Sequence, residues 1–121
     1  MPRPKVRSCV DVFERARQVA KKSTMLQQHG CVIVNKDGFI EAEGYNHHVN
    51  FMSHRFSMHS EMDALLKVKQ KGRKFLETCT LVVVRIHRQD PDEHPLKLSK
   101  PCEHCTKEIK ECGIGKIFYS A

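Results

Sequence analysis

The sequence predicts an α/β sandwich, with helices packed on a mixed sheet of about four strands. Three observations carry that reading. Segments of helical apolar spacing alternate with short apolar runs; one run is too uniformly apolar to be half exposed; and the residues able to do chemistry gather at the starts of two helical segments. With 121 residues, 40% of them hydrophobic, the chain can build one modest core and not two. A single domain over residues 9–121 is expected, preceded by a flexible basic arm, residues 1–8.

Cys9, Val12, Phe13, Ala16, Val19 and Ala20 recur at helical spacing behind Ser8, a reasonable cap, and predict a helix over residues 9–22. The apolar run Cys31-Val32-Ile33-Val34, the turn Asn35-Lys36-Asp37-Gly38 and a second strand over residues 39–45 make a hairpin. Met58, Met62, Leu65, Leu66 and Val68 then mark the apolar stripe of a second helix, with Ser57 as its N-cap and Gly72 closing it. Residues 80–86, with Leu81-Val82-Val83-Val84 at their heart, read as a central strand. A polar, proline-punctuated loop over residues 88–95 follows. Pro101 suits the first turn of a third helix over residues 102–112, with Ile109 and Cys112 inward, and residues 114–120 form the last strand. Two helices therefore lie on crossovers between strands, with their N-terminal mouths at one sheet edge, where such folds bind ligands.

Those mouths carry His59-Ser60-Glu61 and Pro101-Cys102-Glu103-His104-Cys105. At roughly 100° per residue, Cys102 and Cys105 sit about 60° apart on a helix, so both sulfurs can reach one ion. His59 and Glu61, two positions apart, converge only around a helix mouth. One imidazole and two thiolates suit a zinc ion that keeps its fourth position for water, and helix N-termini favour the thiolates. A Cys-x-x-Cys pair alone is more often a structural zinc knuckle or a redox pair. With Cys112 or His104 as fourth ligand the site would be closed and structural, and Glu61 would have no role.

His-x-Glu followed by Pro-Cys-x-x-Cys resembles the signature of the zinc-dependent cytidine and deoxycytidylate deaminase superfamily, which also holds tRNA adenosine deaminases and polynucleotide cytosine deaminases. The order of the remaining segments resembles it too, over nearly the whole chain, and implies a three-layer cytidine-deaminase-like sandwich. The resemblance implies that His59, Cys102 and Cys105 bind Zn2+, that Glu61 shuttles protons without being a ligand, and that Asn46, after Glu43-Gly44-Tyr45, contacts substrate. Zinc lowers the pKa of bound water and a positioned carboxylate takes the proton. Hydroxide then adds to an electron-poor ring carbon bearing an amino group, and ammonia leaves. Family members usually continue with a further helix and strand. Their lack predicts that residues 116–119 form an exposed apolar edge, covered by a second subunit in a homo-oligomer or blunted by a shortened design, unless the chain is cut short.

The segment from Tyr45 to Met58 is the expected substrate wall, with His47, His48, Asn50, Phe51, His54, Arg55 and Phe56. Arg55 could hold a phosphate and Phe51 or Phe56 could stack on a base, although each is equally a surface charge or core filler. The histidines there could hold a second metal but are more often solvated. Tyr45, Ser60, Ser99 and Pro101 complete the candidate substrate set, with Arg85, His87 and Arg88 as weaker phosphate contacts.

The net charge of +7 favours an anionic partner, a nucleotide phosphate or a nucleic acid, while Lys67, Lys69, Lys71, Arg73 and Lys74 read first as a solvated face. No apolar run serves as a signal peptide or membrane span, so no membrane partner is expected. Six cysteines without a secretory segment point to a reducing, cytoplasmic setting, with Cys9, Cys31, Cys79 and Cys112 as small buried residues. The leading expectation is hydrolytic deamination of dCMP or CMP. The alternatives are a single-stranded DNA or tRNA deaminase, for which no Trp and two Tyr give few stacking platforms, and a non-catalytic zinc-binding protein.

Overall fold

The computed structural model describes residues 9–48, 57–89 and 95–120. Helix α1 (Cys9–Ala20) is followed by an antiparallel hairpin of β1 (Gln27–Val34) and β2 (Ile40–Tyr45). Two short strands, β3 (His47–His48) and β4 (Ser57–Met58), pair as a separate ribbon. Then come α2 (Ser60–Val68), a 3-10 turn at Lys69–Lys71, the single turn α3 (Arg73–Leu76), β5 (Thr80–His87), α4 (Glu103–Cys112) and β6 (Lys116–Tyr119). The main sheet has the order β2-β1-β5-β6, with β1 antiparallel to both neighbours and β5 parallel to β6.

The apolar runs explain the layers. Val32, Val34, Val82, Val84 and Ile86 turn one sheet face onto Val12, Ala16, Val19 and Ala20 of α1. Cys31, Ile33, Ala42, Leu81 and Val83 turn the other onto Ala64, Leu65 and Val68 of α2 and Ile109 of α4. β5 is central and covered on both faces, as its unbroken apolar run predicts. Cys31 and Cys79 are buried free thiols and Cys112 is partly buried, which agrees with their reading as packing residues. No helix among the described residues is long and apolar enough to cross a membrane.

Some elements differ from the expectation. β1 begins four residues before the apolar run, because Gln27, Gln28, His29 and Gly30 pair with His87, Ile86, Arg85 and Val84 of β5. Ladder bonds with a central strand override the polarity of that stretch. Ser57 is not a helix cap: it pairs with His48, Met58 pairs with His47, and α2 starts at Ser60 with His59 at its N-cap. Pro101 lies just outside α4, whose N-cap is Cys102. Leu66 is half exposed and leaves the apolar stripe. α1 ends at Ala20, where Lys22 and Ser23 amides bond back to Val19 and Ala20 carbonyls in a tighter turn. β3, β4 and α3 are too short for periodicity to register. Among the described residues β6 pairs with β5 alone, and Phe118 and Tyr119 are 49% and 39% exposed along it. His54, Arg55 and Phe56, with Asn50 and Phe51, lie outside the described residues, as does the arm 1–8.

Gly44 sets how closely α2 approaches the sheet. A Cβ there would meet the Ala64 amide nitrogen and the Ser60 carbonyl oxygen inside contact distance. Gly44→Ala is therefore expected to cost about 1–3 kcal/mol, as overpacking does, read as a fall in thermal midpoint. It should also reduce zinc retention, since the first turn of α2 follows His59.

Candidate functional site

Two crossovers, β2 to β5 through α2 and β5 to β6 through α4, carry the N-termini of both helices to the same end of the sheet. His59 caps α2 with extended backbone (φ −73, ψ 150), and Cys102 caps α4 likewise (φ −67, ψ 165). The Cys105 amide donates to Cys102 Sγ at 3.3 Å, so a sulfur takes the role a serine or aspartate oxygen usually has at a helix start.

Cys105 lies one turn into α4 and is fully buried. Its sulfur is 3.2 Å from His59 Nδ1, the Cys102 sulfur is 3.9 Å from the same nitrogen, and the three donor atoms lie within 4.8 Å of one another. Tetrahedral Zn2+, about 2.3 Å from sulfur and about 2.0 Å from nitrogen, sets a sulfur–nitrogen separation of about 3.5 Å, which the observed pair brackets. The residues fit the ion. Burial, and next the charge of Glu61, pushes the Cys105 thiol up, a penalty on the thiolate that a divalent cation reverses. His104 is exposed and Cys112 packs against the core at the far end of α4, so neither completes a closed site. The group has three donors among the described residues, the number that leaves a fourth position for water.

A cavity of about 300 Å³ opens beside these donors. Glu61 lines it and is only 5% exposed, and Ser60 Oγ donates to Glu61 Oε1 at 2.6 Å. A buried carboxylate at a metal-donor cluster is placed to accept and return a proton. Asn46 also lines the cavity, but its side chain is engaged: Oδ1 accepts the His29 amide at 2.8 Å and Nδ2 donates to the Gln27 carbonyl at 2.8 Å. Both ends agree on the amide's orientation.

Ser60 and Ser99 line the cavity as well. Ser99 is held there because its amide donates to the Ser120 carbonyl, while Ser120 Oγ donates to the Lys97 carbonyl. Two of the candidate substrate residues do not reach it. Tyr45 packs with the α1-side core and against the His47 ring, on the opposite sheet face, and Pro101 is buried with its carbonyl accepting from Thr106 Oγ1. Arg85 donates to Gln27 Oε1 and the Leu98 carbonyl, and Arg88 to the Thr24 carbonyl, so both guanidiniums brace the rim.

Met25, Gln27, His29 and Lys100 line the cavity without having been singled out in the sequence. A signal for two of them existed. Cys31 and Ile33 face α2, and period-two alternation carried back along β1 puts His29 and Gln27 on that face.

Over residues 7–121 the chain matches the family model described as the cytidine and deoxycytidylate deaminase zinc-binding region. Solved structures of similar fold include a cytidine deaminase from Burkholderia pseudomallei, 18% identical, covering 88% of this chain and 78% of that one, with TM-score 0.64. A dCMP deaminase from the cyanophage S-TIM5, in complex with dCMP and dUMP, is 20% identical over 88% of this chain and 76% of that one, with TM-score 0.62. A guanine deaminase from Bacillus subtilis is 23% identical over 95% of this chain and 65% of that one, with TM-score 0.66. No curated protein matches the chain.

Proposed function

This chain belongs to the cytidine and deoxycytidylate deaminase zinc-binding family, and from that premise we propose that it hydrolyses the exocyclic amine of a cytosine nucleotide, dCMP or CMP, giving the uracil nucleotide and ammonia. The observation that carries the proposal is the buried Glu61 carboxylate lining the cavity beside a three-donor set for Zn2+. His59, Cys102 and Cys105 would hold the ion. When bound, Zn2+ lowers the pKa of water toward neutrality and so supplies a nucleophile at working pH.

Glu61 accepts the proton that water gives up and passes it to the ring nitrogen as hydroxide adds to the amino-bearing carbon; it then takes the proton of the added hydroxyl and delivers it to the departing amine, so that the C–N bond breaks, ammonia leaves and a ring carbonyl remains. Ser60 holds the carboxylate in place from its own hydroxyl. The cavity volume suits a base with part of its sugar, and Lys100 supplies a cation at the exposed rim for a phosphate. The net charge of +7 steers an anionic substrate toward it. The cyanophage dCMP deaminase, similar in fold, was solved with dCMP and dUMP; within this chain it is the net charge of +7 and Lys100 that favour a nucleotide over a nucleoside.

The test is ammonia release by zinc-loaded protein offered dCMP, CMP, cytidine, deoxycytidine, guanine, a deoxycytidine oligonucleotide and a tRNA. Release from dCMP or CMP above the other substrates is expected; release confined to guanine or to a polymer overturns the substrate assignment. Lys100→Ala should raise KM for the nucleotide about tenfold, the loss of one charged contact, and leave KM for the nucleoside unchanged.

A further inference from the structure

His29 is a half-buried imidazole in the cavity wall to which the reaction above gives no role. Its position is fixed from three directions. Across β1 and β2, its amide donates to Asn46 Oδ1 and its carbonyl accepts the Asn46 amide at 3.3 Å. On the other side it is registered against Arg85 of β5. Its ring Nδ1 lies 3.4 Å from Ser99 Oγ, and Ser99 is itself 4% exposed and tied to Ser120 through its backbone. An imidazole held so firmly in the cavity wall has its second nitrogen left for a partner there.

The protonation state narrows what that partner is. Burial lowers the His29 pKa; the Glu61 charge opposes this, while Arg85 and His59 add to it. At neutral pH the ring is therefore uncharged, with one nitrogen a donor and the other an acceptor. Ser99 Oγ, 3.4 Å from His29 Nδ1, can give its proton to that nitrogen or accept one from it. Donation from Ser99 selects the Nε2–H tautomer and leaves Nε2–H as a donor for an occupant of the cavity.

We propose that His29 is a specificity-determining contact, donating Nε2–H to an oxygen of the pyrimidine nucleotide, with Ser99 as the positioning residue that selects its tautomer. This inference rests on the reading that the cavity holds a cytosine nucleotide. It gives Asn46 a share in recognition by locking the backbone on either side of Gln28, from which Gln27 and His29 reach the cavity. An occupant lacking an acceptor at that point, or carrying a donor there, strands the Nε2–H and is rejected.

The experiment measures dCMP binding by calorimetry to zinc-loaded protein carrying Glu61→Gln, so that nothing turns over, with and without His29→Phe or His29→Gln. Zinc content is measured alongside. His29→Phe, similar in volume and without a donor, is expected to weaken dCMP at least about tenfold at unchanged zinc, and His29→Gln, which keeps a donor, to recover part of the loss. Equal binding by the Phe variant and its parent overturns the contact, while absence of dCMP binding by the parent overturns the nucleotide reading and the contact together. Nitrogen-15 NMR of the imidazoles in the unsubstituted protein keeps the matter decidable if a variant misfolds. An Nε2–H tautomer whose shift moves on dCMP addition is expected; an Nδ1–H tautomer, or no movement at saturation, overturns the proposal.

Discussion

Glu61→Gln is expected to retain about one zinc per chain while kcat falls by roughly a hundredfold to ten-thousandfold, the range that a lost general acid–base carries. The two side chains have the same shape, and a glutamine carbonyl can still accept from Ser60 Oγ, whose bond to Glu61 Oε1 is 2.6 Å. The first turn of α2 should therefore stay in place, and with it His59 at the N-cap. What the substitution removes is a proton acceptor, since an amide cannot take a proton from water near neutral pH. The loss should appear in kcat, with binding of dCMP little changed, because the interaction is made in the transition state and not with the ground-state ligand. Metal analysis and steady-state kinetics on one preparation check this. Full activity at full zinc would remove Glu61 from the mechanism, and loss of zinc would mean that the carboxylate belongs to the metal shell.

The parts of this site that could be read before folding are those whose chemistry is local. His59 and Glu61 are two apart, Cys102 and Cys105 three apart, and such spacings restrict the backbone that could bring each pair to one point. The central β5 was equally legible, because a run as apolar as Leu81-Val82-Val83-Val84 has nowhere to go except between two layers. The start of β1 was not. Gln27-Gln28-His29 is polar and precedes the apolar run, and it becomes strand through ladder bonds to residues about sixty positions away. His29 and Lys100 enter the site through that long-range pairing and through the Ser99–Ser120 tie, neither of which leaves a local trace. Ser57 shows the converse error. A serine three positions before a helix is a fair cap by propensity, yet its backbone pairs with His48, and the helix mouth is left to His59, free to face the thiols.

Cys105→Ser is expected to lower zinc affinity by more than a hundredfold, so that protein isolated without added metal carries well under one ion per chain. Changes in groups that only support metal ligands cost about tenfold to a hundredfold, and removal of a ligand should exceed that. The position makes the loss hard to repair. Cys105 is fully buried one turn into α4, and the seryl oxygen is a shorter, neutral donor that must be deprotonated far above working pH to replace a thiolate. Cys102, exposed at the helix start, has room to shift and should tolerate serine slightly better. Cys112→Ser supplies the control: Cys112 lies at the other end of α4, packed on the core and outside the donor group, so its replacement should leave zinc content unchanged. Zinc uptake also displaces thiol protons, so apparent affinity should fall as pH is lowered, more steeply for the parent, which binds through two thiolates, than for Cys105→Ser, which binds through one. Equal zinc and equal pH slopes in parent and Cys105→Ser would show that the ion is held elsewhere, and would take with it the geometry that sets Glu61 beside the nucleophile.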